Sequence, residues 1–355
     1  MANFLDVARD IYLRENAGRA TESFKAVFTG IAALNDVYAK ATIDTDNLEA
    51  VFAAFEMAQL FGRLNRFDAP RLASLADAMR ELIVETLEQR VGFPIPNRSG
   101  QTINVEPPRG YGEFVAGLPK TPADLARISF ITFNYDLALD FTLRYHDVPI
   151  DYGLQSTRSP GRVLLLKLHG SVNWMACGNC GVAVYDLQEH VRFPKSVAAP
   201  LVDNGTWARL RVAEELRRFN HCNDNVKGSG VPLLVPPTWS KAEYHRQLAA
   251  VWRTAAQELA SARNIVVIGY SLPEADTFFR YLYALGTVSD TRIERFWVVD
   301  SDGSGAVAER FQTLLGPTAR SRFHHIPEAF ERAVYGSGAA AAFRAFVQQL
   351  GEWRD

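Results

Sequence analysis

Apolar positions recur at helical spacing through the first 90 residues. Phe4, Leu5, Val7, Ala8, Ile11 and Tyr12 form one such stripe, with Asn3 placed to cap its first turn. Leu48, Val51, Phe52, Phe55 and Leu60 form a second. Leu72, Leu75, Met79, Leu82, Ile83 and Leu87 form a third, entered through Asp68 as cap and Pro70 in the first turn. From Gly92 to Pro119 the pattern breaks. Pro94, Pro96, Gly100, Pro107, Pro108, Gly110, Gly112 and Gly117 crowd this stretch, which reads as a long loop or lid-like segment.

Beyond it the period changes. Ile128–Phe133, Val163–Leu168, Ile265–Ile268 and Phe296–Val299 are short, continuous apolar runs. Helical patterns at 137–145, 207–219, 244–262, 276–285 and 339–353 alternate with them. Buried β-branched runs alternating with helices predict a largely parallel sheet covered on both faces, so the fold class is α/β with a helical N-terminal part. The expected division is a helical part with its long loop at 1–120 and a sheet-bearing domain at 121–355, into which a small cysteine-containing module at about 171–235 is inserted. No internal repeat or low-complexity tract interrupts this order.

The chain has 355 residues, 48% apolar and 22% charged, an ordinary globular composition that excludes a disordered chain. Its 38 basic and 40 acidic side chains leave a formal charge of −2, with no electrostatic footprint for nucleic acid. No run of uncharged apolar residues is long enough to span a membrane, and the opening residues carry acid early, unlike a signal peptide. Three cysteines cannot build a disulfide framework. A soluble, cytoplasmic protein is the expectation.

Ligands of open parallel sheets bind beyond the carboxyl ends of the strands. Four predicted strand ends carry unusual polar residues: Asn134 and Asp136 after the first, His169 and Ser171 after the second, Gly269 and Ser271 after the third, Asp300 after the fourth. Each has a plainer reading. Asn134 and Asp136 suit a helix cap, and His169-Gly170 suits a turn. Ser271 with Glu274 fits a capping box with Pro273 in the first turn, and Asp300 either caps a helix or accepts ribose hydroxyls. Lys167, Trp174 and Trp239-Ser240-Lys241 read as supports for the crevice.

The order of these blocks is more informative than any one of them. Phe133-Asn134-Tyr135-Asp136, then Lys167-Leu168-His169-Gly170-Ser171-Val172-Asn173-Trp174, then Val235-Pro236-Pro237-Thr238, then Gly269-Tyr270-Ser271-Leu272-Pro273-Glu274-Ala275-Asp276 resembles the sirtuin superfamily, in its bacterial, defence-associated branch. The resemblance covers roughly residues 125 to 300. It implies a Rossmann-like, NAD-binding fold that breaks the nicotinamide–ribose bond, with NAD consumed as substrate. It implies Asn134 at the nicotinamide ribose, His169 as general base and Asp136 near the nicotinamide end. Ser171, Gly269, Ser271 and Asp300 fall among the cofactor-binding positions, Gly269 and Ser271 towards the phosphates or adenine ribose and Asp300 near the adenosine hydroxyls. An oxocarbenium-like ribose needs positioned dipoles and a base of near-neutral pKa, which histidine supplies without large tuning.

Two departures from the family pattern matter. Members usually open with a strand and a Gly-Ala-Gly-x-Ser loop, whereas Gly18 and Gly30 sit in no such motif. A sheet lacking that strand would expose two unpaired edges, so either the natural chain begins upstream or another segment fills the gap. The deacylases of the family hold structural zinc with two Cys-x-x-Cys pairs. Here Cys177 and Cys180 are one pair, while the later position offers only His221 and Cys222. A zinc site of three cysteines and one histidine, a degraded knuckle without metal, and a redox pair are the three readings.

The resemblance favours an NAD glycohydrolase yielding nicotinamide and ADP-ribose, acting in anti-phage defence by NAD depletion. It further implies a homo-oligomer with an activating or regulatory protein partner. An NAD-dependent protein deacylase and a non-catalytic NAD- or ADP-ribose-binding subunit are the alternatives.

Overall fold

The computed structural model describes residues 4–14, 18–36, 41–65, 67–96, 98–99, 102–119, 121–155, 157–187, 201–203, 206–219, 221–222, 230–235, 242–273, 277–335, 343 and 345. The chain opens with helices α1 (Phe4–Leu13), α2 (Thr21–Leu34), α3 (Leu48–Phe61) and α4 (Ala69–Arg90). Then come strands β1 (Phe93–Pro94), β2 (Arg98–Ser99) and β3 (Thr102–Ile103), and helices α5 (Arg109–Ala116) and α6 (Pro122–Leu125). β4 (Ser129–Thr132), α7 (Ala138–Tyr145), β5 (Ile150–Asp151) and β6 (Val163–Lys167) begin the α/β part. β7 (Gly170–Cys177), β8 (Gly181–Val184), β9 (Leu201–Asp203), β10 (Trp207–Leu210), α8 (Val212–Leu216) and β11 (Pro232–Leu234) follow. The last elements are α9 (Ala242–Ser261), β12 (Asn264–Ile268), α10 (Thr277–Gly286), β13 (Arg295–Val299), α11 (Ala306–Leu314), α12 (Pro317–Arg320), β14 (Phe323–Ile326) and α13 (Phe330–Tyr335).

The molecule is mixed α/β. The expected single parallel sheet is present as two three-stranded parallel sheets, ordered β5-β6-β4 and β12-β13-β14. No backbone hydrogen bond joins β4 to β12 among the described residues, which is why one sheet becomes two. β6 is the most buried strand, with Leu164, Leu165 and Leu166 fully enclosed, as its unbroken apolar run requires.

Helices α1 to α4 share their core with residues of β7, β10 and α8. Phe24, Phe52, Phe55, Met79 and Leu82 from the helices belong to one apolar cluster with Val172, Met175, Tyr185, Leu210 and Leu216. α4 and α8 are also tied by polar contacts: Arg211 Nη1 donates to Glu85 Oε1 at 2.6 Å, and the Ala213 N–H donates to Glu88 Oε1 at 2.8 Å. The expected cap of α4 is in place: Asp68 accepts from the Arg71 N–H at 3.0 Å.

Two further expectations need correction. The stretch from Gly92 to Pro119 is not a continuous loop, because α5 forms inside it. Gly110 lets α5 lie against α13, where an added Cβ would be 3.1 Å from Glu331 Cγ, and Tyr111 and Phe114 pack edge-on to Phe330. The helix expected at 207–219 begins as strand β10, paired to β1 and β9, and only Val212–Leu216 is helical. The strand β14 was not anticipated, because Phe323-His324-His325-Ile326 lacks a continuous apolar run. The helix expected at 339–353 falls outside the described residues except at 343 and 345, as do Asn3, Glu274 and residues 236–241.

Candidate functional site

The carboxyl ends of β4 and β12 lie side by side and open into a cavity of about 650 Å³ that runs between the two strands. Phe133 and Asn134 continue β4, and Gly269 and Tyr270 continue β12, all four lining the cavity. Asn134 is exposed there, and its backbone N–H donates to Thr132 Oγ1 at 3.1 Å. Gly269 takes φ +63° with open space where a side chain would stand, and its N–H donates to the Val299 carbonyl at 2.9 Å. Asn134 and Gly269 are therefore brought to one mouth, as their places at strand ends require.

His169 sits close by but inside. It is 2% exposed, and the Phe133 ring lies edge-on to the imidazole with centroids 5.0 Å apart. Phe133 also stacks on Tyr270 at 4.7 Å and meets Phe279 edge-on at 5.5 Å. An aromatic layer thus separates His169 from the mouth. Its backbone carbonyl accepts from the Val235 N–H at 2.8 Å, which fixes the turn into β7.

Beneath the turn at 133–136 lies a buried charge network. Lys167 Nζ donates to the Asp136 carbonyl at 2.5 Å and to Asp140 Oδ2 at 3.0 Å, and the Tyr152 hydroxyl donates to Asp140 Oδ1 at 2.8 Å. The Asp136 carboxylate accepts from the Ala138 N–H at 2.9 Å and so caps the start of α7. Burial pushes the Asp136 carboxyl above its ordinary range, and the neighbouring Lys167 charge pulls the other way. Lys167 acts here as a support, in line with the sequence reading, while Asp140 and Tyr152 were missed because their partnership is tertiary.

The remaining candidates are dispersed. Ser171 is fully buried, its hydroxyl donating to the Tyr135 carbonyl at 3.3 Å. Ser271 is exposed and its carbonyl accepts from Arg310 Nε at 2.8 Å. Asp300 follows β13 and accepts the Asp302 N–H at 2.9 Å. The first turn of α11, whose cap position is Gly305, is instead held by Asp302, which accepts from the Val307 N–H at 2.8 Å. Its carboxyl falls to about 2 under the Ser304 hydroxyl bond and those of the Val307 and Ser304 N–H groups. Phe133 and Tyr270 are the members of the site that residue chemistry alone did not single out. Their signal was only that each directly follows a strand.

Away from the mouth, Cys177, Cys180, His221 and Cys222 bring their ligand atoms within 4.8 Å of one another. Cys177 and Cys180 flank the β7–β8 turn, and Cys222 holds φ +65°, a strained conformation for a non-glycine residue. Cys177 Sγ and Cys222 Sγ are 3.8 Å apart, the edge of a tetrahedron drawn with metal–sulfur bonds of about 2.3 Å. Cys180 Sγ and His221 Nε2 are 3.0 Å apart. The backbone N–H groups of Cys180 and Asn179 point at Cys177 and lower its thiol to about 7. Donor set, spacing and thiolate stabilisation together make a group that can hold a metal ion.

No protein-family model matches the chain, and no curated protein matches it. No helix is long and apolar enough to cross a membrane, among the described residues.

Proposed function

We propose that the chain binds NAD at the mouth between β4 and β12 and cleaves its nicotinamide–ribose bond, releasing nicotinamide and ADP-ribose. The observation that carries the reading is the convergence of Asn134 and Gly269 at one crevice with His169 directly behind it. β4 leads to β6 on one side and β12 leads to β13 on the other, so the crevice lies where the order of parallel strands reverses, the position at which Rossmann-type sheets hold dinucleotides. A Rossmann-type fold for these strands is part of the proposal. Asn134 holds the ribose or the attacking water, and His169 accepts the proton as water adds to the oxocarbenium carbon. Asp136 is assigned to the nicotinamide end and Asp300 to the adenosine by the resemblance alone, since neither lines the cavity among the described residues. Zinc in the Cys3His group serves the module's structure and takes no part in the chemistry. NAD depletion in anti-phage defence, by an oligomer awaiting a protein trigger, is the biological setting this activity fits.

The test is nicotinamide release from NAD by the purified chain beside His169→Ala and Asn134→Ala. Loss of release by about a hundredfold or more in His169→Ala, with native stability retained, is the expected result. Release unchanged in both variants would move the reaction elsewhere. One observation favours a second reading: the imidazole is 2% exposed behind Phe133. A subunit that binds NAD or ADP-ribose without cleaving it would show saturable binding at the same mouth, sensitive to Asn134→Ala, with no nicotinamide formed.

A further inference from the structure

Helix α10 is apolar on two sides. On the inner side Phe279, Leu282 and Tyr283 are buried in one cluster with residues of α9, and Gly286 lies so close to α9 that an added Cβ would be 3.3 Å from the Ala256 Cα. On the outer side Tyr281, Leu285 and Val288 are 64%, 75% and 79% exposed, and the last two are the most exposed large apolar side chains among the described residues. Their spacing of four and then three places them on one face, with the exposed Ala284 between them. The Thr287 N–H donates to the Tyr283 carbonyl at 3.0 Å and carries the helical path on towards Val288. Single apolar residues are ordinary at a surface, whereas a stripe of them marks a contact.

The stripe is held in place from below. Ser289 Oγ donates to the Ala260 carbonyl at 2.6 Å and accepts from the Thr291 N–H at 3.3 Å, which ties the turn carrying Val288 and Asp290 to the end of α9. A face fixed before docking loses little conformational entropy when it docks. The charges beside it are arranged about its centre. Arg280 stands five positions before Leu285 and the exposed Asp290 five positions after it, and neither makes an ion pair among the described residues.

We propose that this stripe joins two copies of the chain about a two-fold axis at Leu285, with α10 of one copy antiparallel to α10 of the other. Leu285 then meets its own equivalent, and Tyr281 of each copy covers Val288 of the other. Arg280 of each copy faces Asp290 of the other, so both unpaired charges find partners. Opposite charges at equal distances from an apolar centre are what a surface needs to complement itself. Another segment of this chain laid on the stripe would meet it once, and nothing in that contact calls for such symmetry. Ala284 keeps the centre of the face low, so the two helices can approach closely. A contact of one helix and one turn is small, and the dimer is therefore weak and concentration-dependent rather than obligate. It does not depend on the reaction proposed above.

Sedimentation velocity over a concentration series tests the contact on the full chain, with Arg280→Asp and Asp290→Arg as separate variants and no NAD present. Each substitution sets like charges against each other twice in a dimer of itself. Each is expected to raise the dimer dissociation constant roughly tenfold or more. An equal mixture of the two variants restores opposite charges at both ends, and a mixed dimer about as tight as the parent's is expected. Leu285→Asp is expected to abolish association by itself and when mixed with the parent. Rescue in the mixture cannot come from a misfolded chain. A parent that stays monomeric up to about 0.1 mM would overturn the proposal. So would association that neither charge substitution weakens, or a mixture no tighter than its two components, since either would give the stripe a different occupant.

Discussion

The Lys167 ammonium and the Asp140 carboxylate meet at 3.0 Å with only 1% of either side chain exposed, and the same ammonium holds the Asp136 carbonyl. One buried ion pair thereby fixes the turn that carries Phe133 and Asn134 at the mouth of the candidate site.

Removing one member of that pair leaves the other charged in a dry interior, which costs about 3–5 kcal/mol. Lys167→Met is expected to lose that much in urea denaturation. Replacing Lys167→Met with Asp140→Leu and Tyr152→Phe should recover part of it, because the Asp140 charge and the Tyr152 hydroxyl are then no longer stranded, while the Asp136 carbonyl and carboxyl still lack Lys167. Equal losses in the single and triple variants would show that packing, not the unpaired charge, sets the cost.

Much of this arrangement is legible in sequence, and the reasons differ by element. The run Val163–Lys167 reads as a strand because a strand buried on both faces has no polar alternation, and its leucines are fully enclosed. β14 escapes the same logic, since His324 and His325 interrupt its apolar run and only pairing with β13 makes it a strand. Trp207 and Leu210 stand three apart and fit a helix as well as a strand; pairing with the neighbouring β9 and with β1, far away in sequence, decides. Asn134, His169 and Gly269 are visible as polar or flexible residues at strand ends. That Phe133 covers His169 and reaches Tyr270 is invisible, because it depends on two strands brought together from 137 positions apart.

The cysteine cluster makes a compositional prediction. The chain expressed with zinc should carry about one zinc ion per chain by atomic emission, and Cys180→Ser should lower that content. Because Cys177 and the residues around it share one apolar core with α1–α4, loss of the metal should reach both. A melting temperature lower by about 5 °C or more is expected after chelation, since 1 kcal/mol moves it by about 2–4 °C in a domain of this size. An unchanged melt with metal absent would make the cluster a remnant.

Glu88 sets a pH dependence. Its carboxyl is pushed up to about 7 by burial, against the opposing Ala213 N–H bond and the Arg211 charge. Between about 4.5 and 7 the folded chain binds a proton that the unfolded chain has lost, so stability falls as pH rises through this window and levels off above it. The loss is about 3 kcal/mol at 1.36 kcal/mol per pH unit. Glu88→Gln keeps an acceptor for the Ala213 N–H and does not titrate. Urea denaturation at pH 5 and pH 8 should show the variant gaining about 2.5 kcal/mol on the parent between the two, because pH 5 already lies inside the window. A parallel decline in both would assign the dependence to other groups.

Gly170 makes the last prediction, because it explains why glycine follows His169. The residue takes φ +83°, and an added Cβ would overlap the Leu233 carbonyl oxygen on the paired strand β11. That contact cannot give, since the Leu233 carbonyl is backbone fixed in the ladder, so Gly170→Ala must either break the β7–β11 pairing or rotate the turn. In both cases the Val235 N–H loses the His169 carbonyl, and the imidazole leaves its place against Phe133. A loss of roughly 2–4 kcal/mol is expected, the strain of a disallowed conformation plus a disrupted buried hydrogen bond. Chemical denaturation measures the first part, and the His169 ring resonances in an NMR spectrum measure the second. A Gly170→Ala chain with parental stability and an unmoved His169 resonance would mean that this turn is softer than its contacts imply, and that glycine there serves some need other than space.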